Sequence, residues 1–401
     1  MSSTSSAATG TQRAAHLDVY RGRARRALPL LRPRFLRRDV PLPPSVGGDA
    51  GARCRRRTHL DEASFDAACD GPPELRTVPM WVAHNGNSGH HRHRTAVLFL
   101  HGKTESRATY RDLAARFLLA CGRDGDDDDN SDGLVLFAVP DMPYHGDRRR
   151  RREDAPGGAE DEFEQAVARA VMAASRGDDA SGPLLLDWAW DALCALDALD
   201  VLYPAPSSSP PMRVVLAGVS MGGSAAMLAA LASLAEGGKG GGPSPWRLAG
   251  CAPLIALQYW RWGFQGDAWL GRAESLAPAF AAAIEVGGGG GEDSSSRAAA
   301  WESAVRRLLP RLLEEEDGGY DAPRALAALR SVPLLACCSA TDPRCPLEGV
   351  KVAWREAAGE GAAAAAPHHE LFVDESARGH ELTAAMVEQF EAWLREVAVV
   401  V

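Results

Sequence analysis

The run Val214-Val215-Leu216-Ala217-Gly218-Val219-Ser220-Met221-Gly222-Gly223 leaves this chain few ways to fold. An apolar, β-branched segment predicts a buried strand. It ends at Gly218-Val219-Ser220-Met221-Gly222, and a small-residue helical stretch, Ser224 to Glu236, follows at once. Gly-x-Ser-x-Gly between a strand and a helix predicts a turn so sharp that only residues without bulk fit beside the serine. Ser220 then stands above the sheet, with the helix N-terminus beneath it. Val214 to Ala235 also carries no charge, and on length alone it would span a bilayer. The glycine-rich break in its middle splits it into two shorter buried elements, so we expect no integral membrane segment.

The charge balance narrows the partners. Lys and Arg number 44 against 53 Asp and Glu, a formal net charge of −9, which gives no concentrated basic face for nucleic acid. None of the eight cysteines forms a C-x-x-C pair and several lie inside apolar runs, so we read free, buried thiols in a reducing compartment. Cys251 and Cys345 are read as structural. Residues 1–50 stand apart in composition: Met1 to Thr11 is rich in Ser, Ala and Thr, and Arg13 to Arg38 is dense in arginine with Asp18 its only acid. That pattern reads as an organellar (plastid or mitochondrial) transit peptide, or as an extension packed on a cytoplasmic protein.

Residues 51–401 read as one domain in which strands alternate with helices, which predicts a mostly parallel sheet flanked by helices. Thr77 to Ala83, Thr95 to Leu100, Gly133 to Pro140, Trp246 to Leu254, Val332 to Ala340 and Glu370 to Asp374 are the further predicted strands. Tyr110–Cys121, Pro183–Tyr203 and Leu382–Val397 are predicted helices. The histidine-rich stretch His84 to Arg94 lacks Cys or acidic partners at ligand spacing and reads as a solvated loop rather than a metal site. Asp124 to Asp132 reads as an acidic surface loop, and Arg148 through Glu164 as a mobile, solvated run of alternating charge. From 255 to 330 the strand–helix rhythm breaks, and the aromatics there suggest a helical cap inserted before the next strand.

A serine hydroxyl is a weak nucleophile until a base sits within hydrogen-bond reach and a third group holds that base. Ser220, Asp342 and His380 occur in that order, each just after a predicted strand, where chemistry collects in a parallel sheet. With that order on the page, the chain from about Thr77 onward resembles the α/β-hydrolase superfamily. Asp342-Pro-Arg-Cys-Pro346 resembles the acid loop of the serine esterase and prolyl-oligopeptidase-like (S9-type) branch, and Gly379-His380-Glu381 its terminal Gly-His. His101-Gly102-Lys103 is similar to the family's oxyanion loop, and Asp141…His145-Gly146 to the loop after its fourth strand. The lone glycine of His101-Gly102-Lys103 departs from the Gly-rich loop of many lipases.

The resemblance implies an α/β-hydrolase fold and an ester-cleaving serine hydrolase of carboxylesterase type, with thioesters or peptide-type amides as lesser options. It implies Ser220 as nucleophile, His380 as base, Asp342 as orienting acid, and the backbone N–H groups of Met221 and Lys103 as the oxyanion hole. His101, Gly102, Tyr144, His145, Tyr259, Trp260 and Trp262 become candidates for the pocket of a small-molecule acyl substrate. His101 and His145 are at the same time read as shaping their loops. Neither metal nor organic cofactor is required. An acyltransferase would use the same triad, and a catalytically silent binding protein would share the fold.

Overall fold

The computed structural model describes residues 34–37, 59–66, 77–85, 93–121, 133–148, 160–175, 184–234, 245–257, 259–264, 277–286, 293–308, 321–358 and 368–399. The transit-peptide reading of residues 1–50 (apart from 34–37), the acidic run 124–132 and the glycine run 287–291 lie outside these residues.

One sheet of nine strands organises the chain. Its strands are β1 (Arg34–Arg37), β2 (His59–Asp66), β3 (Thr77–His84), β4 (His93–Leu100), β5 (Gly133–Pro140), β6 (Met212–Val219), β7 (Trp246–Leu254), β8 (Leu334–Ser339) and β9 (His369–Asp374), in the order β1-β2-β3-β5-β4-β6-β7-β8-β9. The first three strands and β5 pair antiparallel. From β5 across β4 to β9 every pairing is parallel. The chain therefore leaves β4 towards one side, to β5, and later resumes on the other, at β6. Such a reversal opens a crevice at the carboxyl ends of the strands.

The strand residues divide by parity between two apolar layers, as a period of two requires. Leu98, Leu100, Val214, Leu216, Leu334 and Ala336 face one layer, and Val97, Phe99, Val215, Ala217, Leu335 and Cys337 the other. The first layer is closed by α3 (Leu184–Leu202), α4 (Met221–Leu234), α8 (Ala322–Ala328) and α9 (Leu347–Ala358), through Trp188, Leu196, Ala226, Leu326 and Val350. The second is closed by α1 (Arg111–Cys121) and α10 (Ala384–Val399), through Phe117, Phe390 and Trp393. Strands buried on both faces read as continuous apolar runs, which is why β4, β6 and β8 were legible.

A smaller apolar cluster joins α2 (Glu160–Ser175) to α6 (Ala277–Val286) and α7 (Ser294–Leu308), around Val171, Phe280, Ala283 and Trp301. Between β7 and α6 lies the short α5 (Trp260–Phe264), whose Trp260 and Phe264 pack against this cluster.

The two ends of the charged run from Arg148 to Glu164 differ from the sequence expectation, while residues 149–159 lie outside the described residues. Arg148 is wholly buried and ion-paired to Asp191 of α3. Residues 160–175 form a helix whose Phe163, Val167 and Val171, four apart, share one apolar face. The many charges masked that stripe. His84 also differs: it is buried at the end of β3, with Nε2 3.2 Å from Asp61 on β2, while Tyr203 donates to the same carboxylate at 2.9 Å.

The turn that opens α4 tolerates no added bulk. A Cβ on Gly222 would lie 2.3 Å from the carbonyl oxygen of Leu100 and 2.4 Å from that of His101. Both are backbone atoms at the end of β4 and just beyond it, so neither side can yield cheaply. Gly222→Ala is therefore expected to cost at least about 3 kcal/mol, the upper range for overpacking. Thermal denaturation checks this, and a melting temperature equal to wild type would show the turn to be looser than the contact implies.

Candidate active site

Ser220 sits between β6 and α4 with φ +53°, a left-handed backbone that a serine adopts only when its surroundings force it. Three contacts impose it. The Ser220 N–H donates to the Leu254 carbonyl at 2.9 Å, the Ser220 carbonyl accepts from Ser224 N–H at 3.0 Å, and Gly218 packs directly on Gly222. The hydroxyl is thereby lifted out of the sheet, partly exposed.

His380 reaches it from the far end of the sheet. The loop after β9 is pinned by Asp374, which accepts from Thr383 Oγ1 at 2.5 Å and from the N–H and hydroxyl of Ser376 at 2.8 and 2.7 Å. Gly379 turns the loop at φ +81°, and its N–H donates to Thr341 Oγ1 at 2.9 Å, tying the loop to the end of β8. His380 then lies with Nε2 2.7 Å from Ser220 Oγ and Nδ1 2.7 Å from Asp342 Oδ2. The other oxygen of Asp342 accepts the N–H groups of Arg344 and Cys345 at 2.8 and 3.0 Å, so the carboxylate cannot rotate away. An ionised Asp342 is acceptor-only, which puts the His380 proton on Nδ1 and leaves Nε2 to accept from the Ser220 hydroxyl.

Asp374 also yields a pH expectation. The hydrogen bonds it accepts from Thr383 and Ser376 hold its carboxyl below the ordinary Asp value. A depressed folded value contributes stability above the unfolded value, and that contribution is lost as pH falls through the folded one. Asp374→Asn is expected to melt lower than wild type at pH 6, with the gap closing as pH drops from about 4 towards 2. A gap independent of pH would assign the loop's anchoring to other groups.

Lys103 lies in the turn after β4, and Met221 opens α4, where first-turn N–H groups have no intrahelical acceptor. The two segments abut: Gly222 packs on the carbonyls of Leu100 and His101, and a Cβ on Gly102 would lie 3.6 Å from the Val219 carbonyl.

Among the pocket candidates, His101 and His145 are turned inward. His101 is wholly buried, with Nε2 accepting the Met142 N–H at 3.0 Å and Nδ1 2.8 Å from the Gly102 carbonyl. That pair of partners requires the neutral Nδ1–H tautomer and braces the loop after β4 against the loop after β5. His145 Nδ1 lies 2.8 Å from the Pro143 carbonyl, and both rings pack on Trp188. Both rings are buried, and both nitrogens of His101 and Nδ1 of His145 are engaged within the loops. Tyr144 is partly buried with φ +66°. Tyr259 donates to Glu356 at 2.7 Å, the Trp260 N–H donates to the capping carboxylate of Asp321 at 2.9 Å, and Trp262 packs over Gly349.

Sequence reasoning missed the brace beneath the loop after β5. Asp141 accepts the Arg107 N–H at 2.8 Å and its guanidinium at 2.7 Å, and Gly146, at φ +53°, closes the turn so tightly that a Cβ would lie 2.3 Å from the same carboxylate. Burial raises the Asp141 carboxyl, with Arg107 opposing. Asp141 and Gly146 were visible in the sequence, but Arg107, within a polar run, carried no signal.

Asp342, Cys345 and His380 each offer a ligand atom, all within 4.8 Å of one another, the group among the described residues that could hold a metal ion. In the structure these atoms are otherwise engaged: Asp342 with His380, and Cys345 Sγ 3.4 Å from the Ile255 carbonyl. Cys251 and Cys345 are both buried and outside any disulfide, and burial pushes the Cys251 thiol up to about 12, so it packs as a small apolar side chain.

No family model and no curated protein matches the chain. Solved structures do. An acetyl xylan esterase from Paenibacillus sp. R4 superposes with a TM-score of 0.50 at 14% identity, covering 96% of this chain and 93% of that one. Acetyl xylan esterase 1 from Thermoanaerobacterium sp. JW/SL YS485 gives 0.45 at 12% identity over 94% and 93%. An S-formylglutathione hydrolase from Agrobacterium tumefaciens gives 0.45 at 14% over 91% and 99%. At such identities the likeness is one of fold. Among the described residues no helix is long and apolar enough to cross a membrane, and Val214–Leu234 divides into β6 and α4.

Proposed function

We propose that this chain, an α/β-hydrolase by fold, is a serine hydrolase that cleaves an ester through Ser220, His380 and Asp342. The observation that carries the reading is the unbroken hydrogen-bonded series from Ser220 Oγ through both His380 nitrogens to Asp342, with each link at 2.7 Å.

Ser220 Oγ attacks the acyl carbonyl as its proton passes to His380 Nε2, and the carbonyl π pair becomes the oxyanion. Asp342 holds the ring and stabilises its charged form. The N–H groups of Met221 and Lys103 receive the oxyanion, each such donor contributing about 3 kcal/mol in the transition state. Collapse expels the alkoxide, which takes the proton from His380. Water then gives a proton to His380 as its oxygen attacks the acyl-enzyme, and the acid departs as Ser220 regains its hydrogen. His380 is the acceptor or the donor in every proton transfer of this sequence.

The Asp342–Pro346 loop supports a serine esterase or prolyl-oligopeptidase-like branch, with a small-molecule acyl ester as substrate. A panel of p-nitrophenyl esters of rising acyl length tests the reading. The expected result is turnover of one or more esters with a pre-steady-state burst of nitrophenol equal to the enzyme concentration. Absence of both burst and turnover across the panel contradicts it.

A further inference from the structure

Lys103 is held from two directions. Within its own turn, the Gly102 N–H donates to Glu105 Oε2 at 2.6 Å, and the Glu105 N–H returns to the Gly102 carbonyl at 3.3 Å. The same carboxylate oxygen accepts the hydroxyl of buried Tyr110 at 2.5 Å. Burial, and the neighbouring Glu105 carboxylate, push the Tyr110 phenol far above its ordinary value, so it remains a donor. From the other direction, Lys103 Nζ is ion-paired with Glu164 of α2, both side chains being largely buried.

Glu164 is itself firmly placed. Its neighbour Phe163 is buried against His145 and Trp188, and α2 packs through Val171 onto the cluster of Phe280 and Trp301. The Lys103–Glu164 pair therefore links the turn beside the nucleophile to a helix layer with its own small apolar core.

Between Lys103 and Glu105 stands Thr104 at φ +125°, a conformation that β-branched residues avoid. Such a backbone persists only where its surroundings over-determine it. The two carboxylates bear on this turn together with the His101 ring, whose Nδ1 lies 2.8 Å from the Gly102 carbonyl.

We propose that Glu164 and Glu105 are positioning residues that set the Lys103 peptide N–H at the oxyanion, Glu105 from within the loop and Glu164 from α2. The inference rests on the reading of Lys103 as an oxyanion donor. A tether that serves only stability would change the amount of folded enzyme. A tether that aims a donor changes transition-state binding, because a misplacement of about 1 Å costs up to about 100-fold.

The test compares wild type with Glu164→Gln, Glu164→Asp and Glu105→Ala, using the best p-nitrophenyl ester and a trifluoromethyl ketone of matching acyl chain. Active sites are counted by burst. Per active site, Glu164→Gln is expected to lower kcat about tenfold with KM within about twofold, and to raise the ketone Ki by the same factor as kcat falls. Glu164→Asp, which keeps the charge, recovers part of the loss, and Glu105→Ala behaves as Glu164→Gln does. If kcat per active site and the ketone Ki stay at wild-type values while only the melting temperature or the burst amplitude falls, the residues are structural and the inference is overturned. If wild type itself shows no burst, the reading of Ser220 fails and takes this inference with it.

Discussion

Replacing Ser220 by alanine is expected to lower kcat by about a million-fold, and His380→Ala by nearly as much, with the double variant no worse than either single one. The geometry gives the reason. The Ser220 hydroxyl donates to one nitrogen of His380 and Asp342 fixes the other, so the three act as one unit, and removing any part removes the whole relay. Asp342→Asn should cost about 10,000-fold, because an amide in place of the carboxylate favours the wrong tautomer of His380. The fold should survive all of these changes, since the turn is held by the Leu254 carbonyl, by Ser224 and by the close approach of Gly218 to Gly222, and not by the hydroxyl. Steady-state kinetics with parallel melting curves check the set. Multiplicative losses in the double variant would mean that Ser220 and His380 act separately.

Arg148→Met should produce the largest loss of stability, about 3–5 kcal/mol, the range for a buried charge left without its partner. Arg148 is wholly buried, pairs with Asp191 and donates to the Asp141 carbonyl at 3.1 Å. Burial raises the Asp191 carboxyl, and Arg148 is what opposes that rise. An acid whose folded value lies above its unfolded one is destabilising at high pH and less so as pH falls. Removing Arg148 lets the Asp191 value climb further, so the deficit should be greatest near neutral pH and shrink as the medium is acidified. Arg148→Met with Asp191→Leu should recover most of the loss, since a well-packed apolar pair replaces a buried ion pair at little cost. Urea midpoints at two pH values measure both effects. A single variant with wild-type stability would show that water reaches Asp191.

Comparing sequence with structure shows which physical signals were legible. The strands buried on both faces, β4 to β8, announced themselves as apolar runs, and each parallel strand delivered its loop to the same edge of the sheet. That is why Ser220, Asp342 and His380 could be placed in order before any distance was known. The antiparallel strand β2 was missed because it reads His-Leu-Asp-Glu-Ala-Ser-Phe-Asp, three acids in eight residues. Its Asp61 is buried only because His84 and Tyr203, distant in sequence, satisfy it. The same blindness hid Arg148 and α2: a charge run looks solvated until its partner is known, and Asp191 lies 43 positions away. Helix α9 was missed although Leu347, Val350, Ala353 and Trp354 recur at helical spacing. His101 and His145 are buried with their rings turned into the fold, a direction sequence does not carry, since it shows that a histidine follows a strand and not which way its ring turns.

The most direct measurement is covalent. A fluorophosphonate probe reacts with an activated serine and reports no other property of the fold, so labelling followed by peptide mapping by mass spectrometry isolates the central claim. One phosphonate per chain is expected, on Ser220, with labelling lost in Ser220→Ala and slowed by orders of magnitude in His380→Ala. An unlabelled wild type, or a phosphonate carried equally by Ser220→Ala, would contradict the assignment of Ser220 as nucleophile.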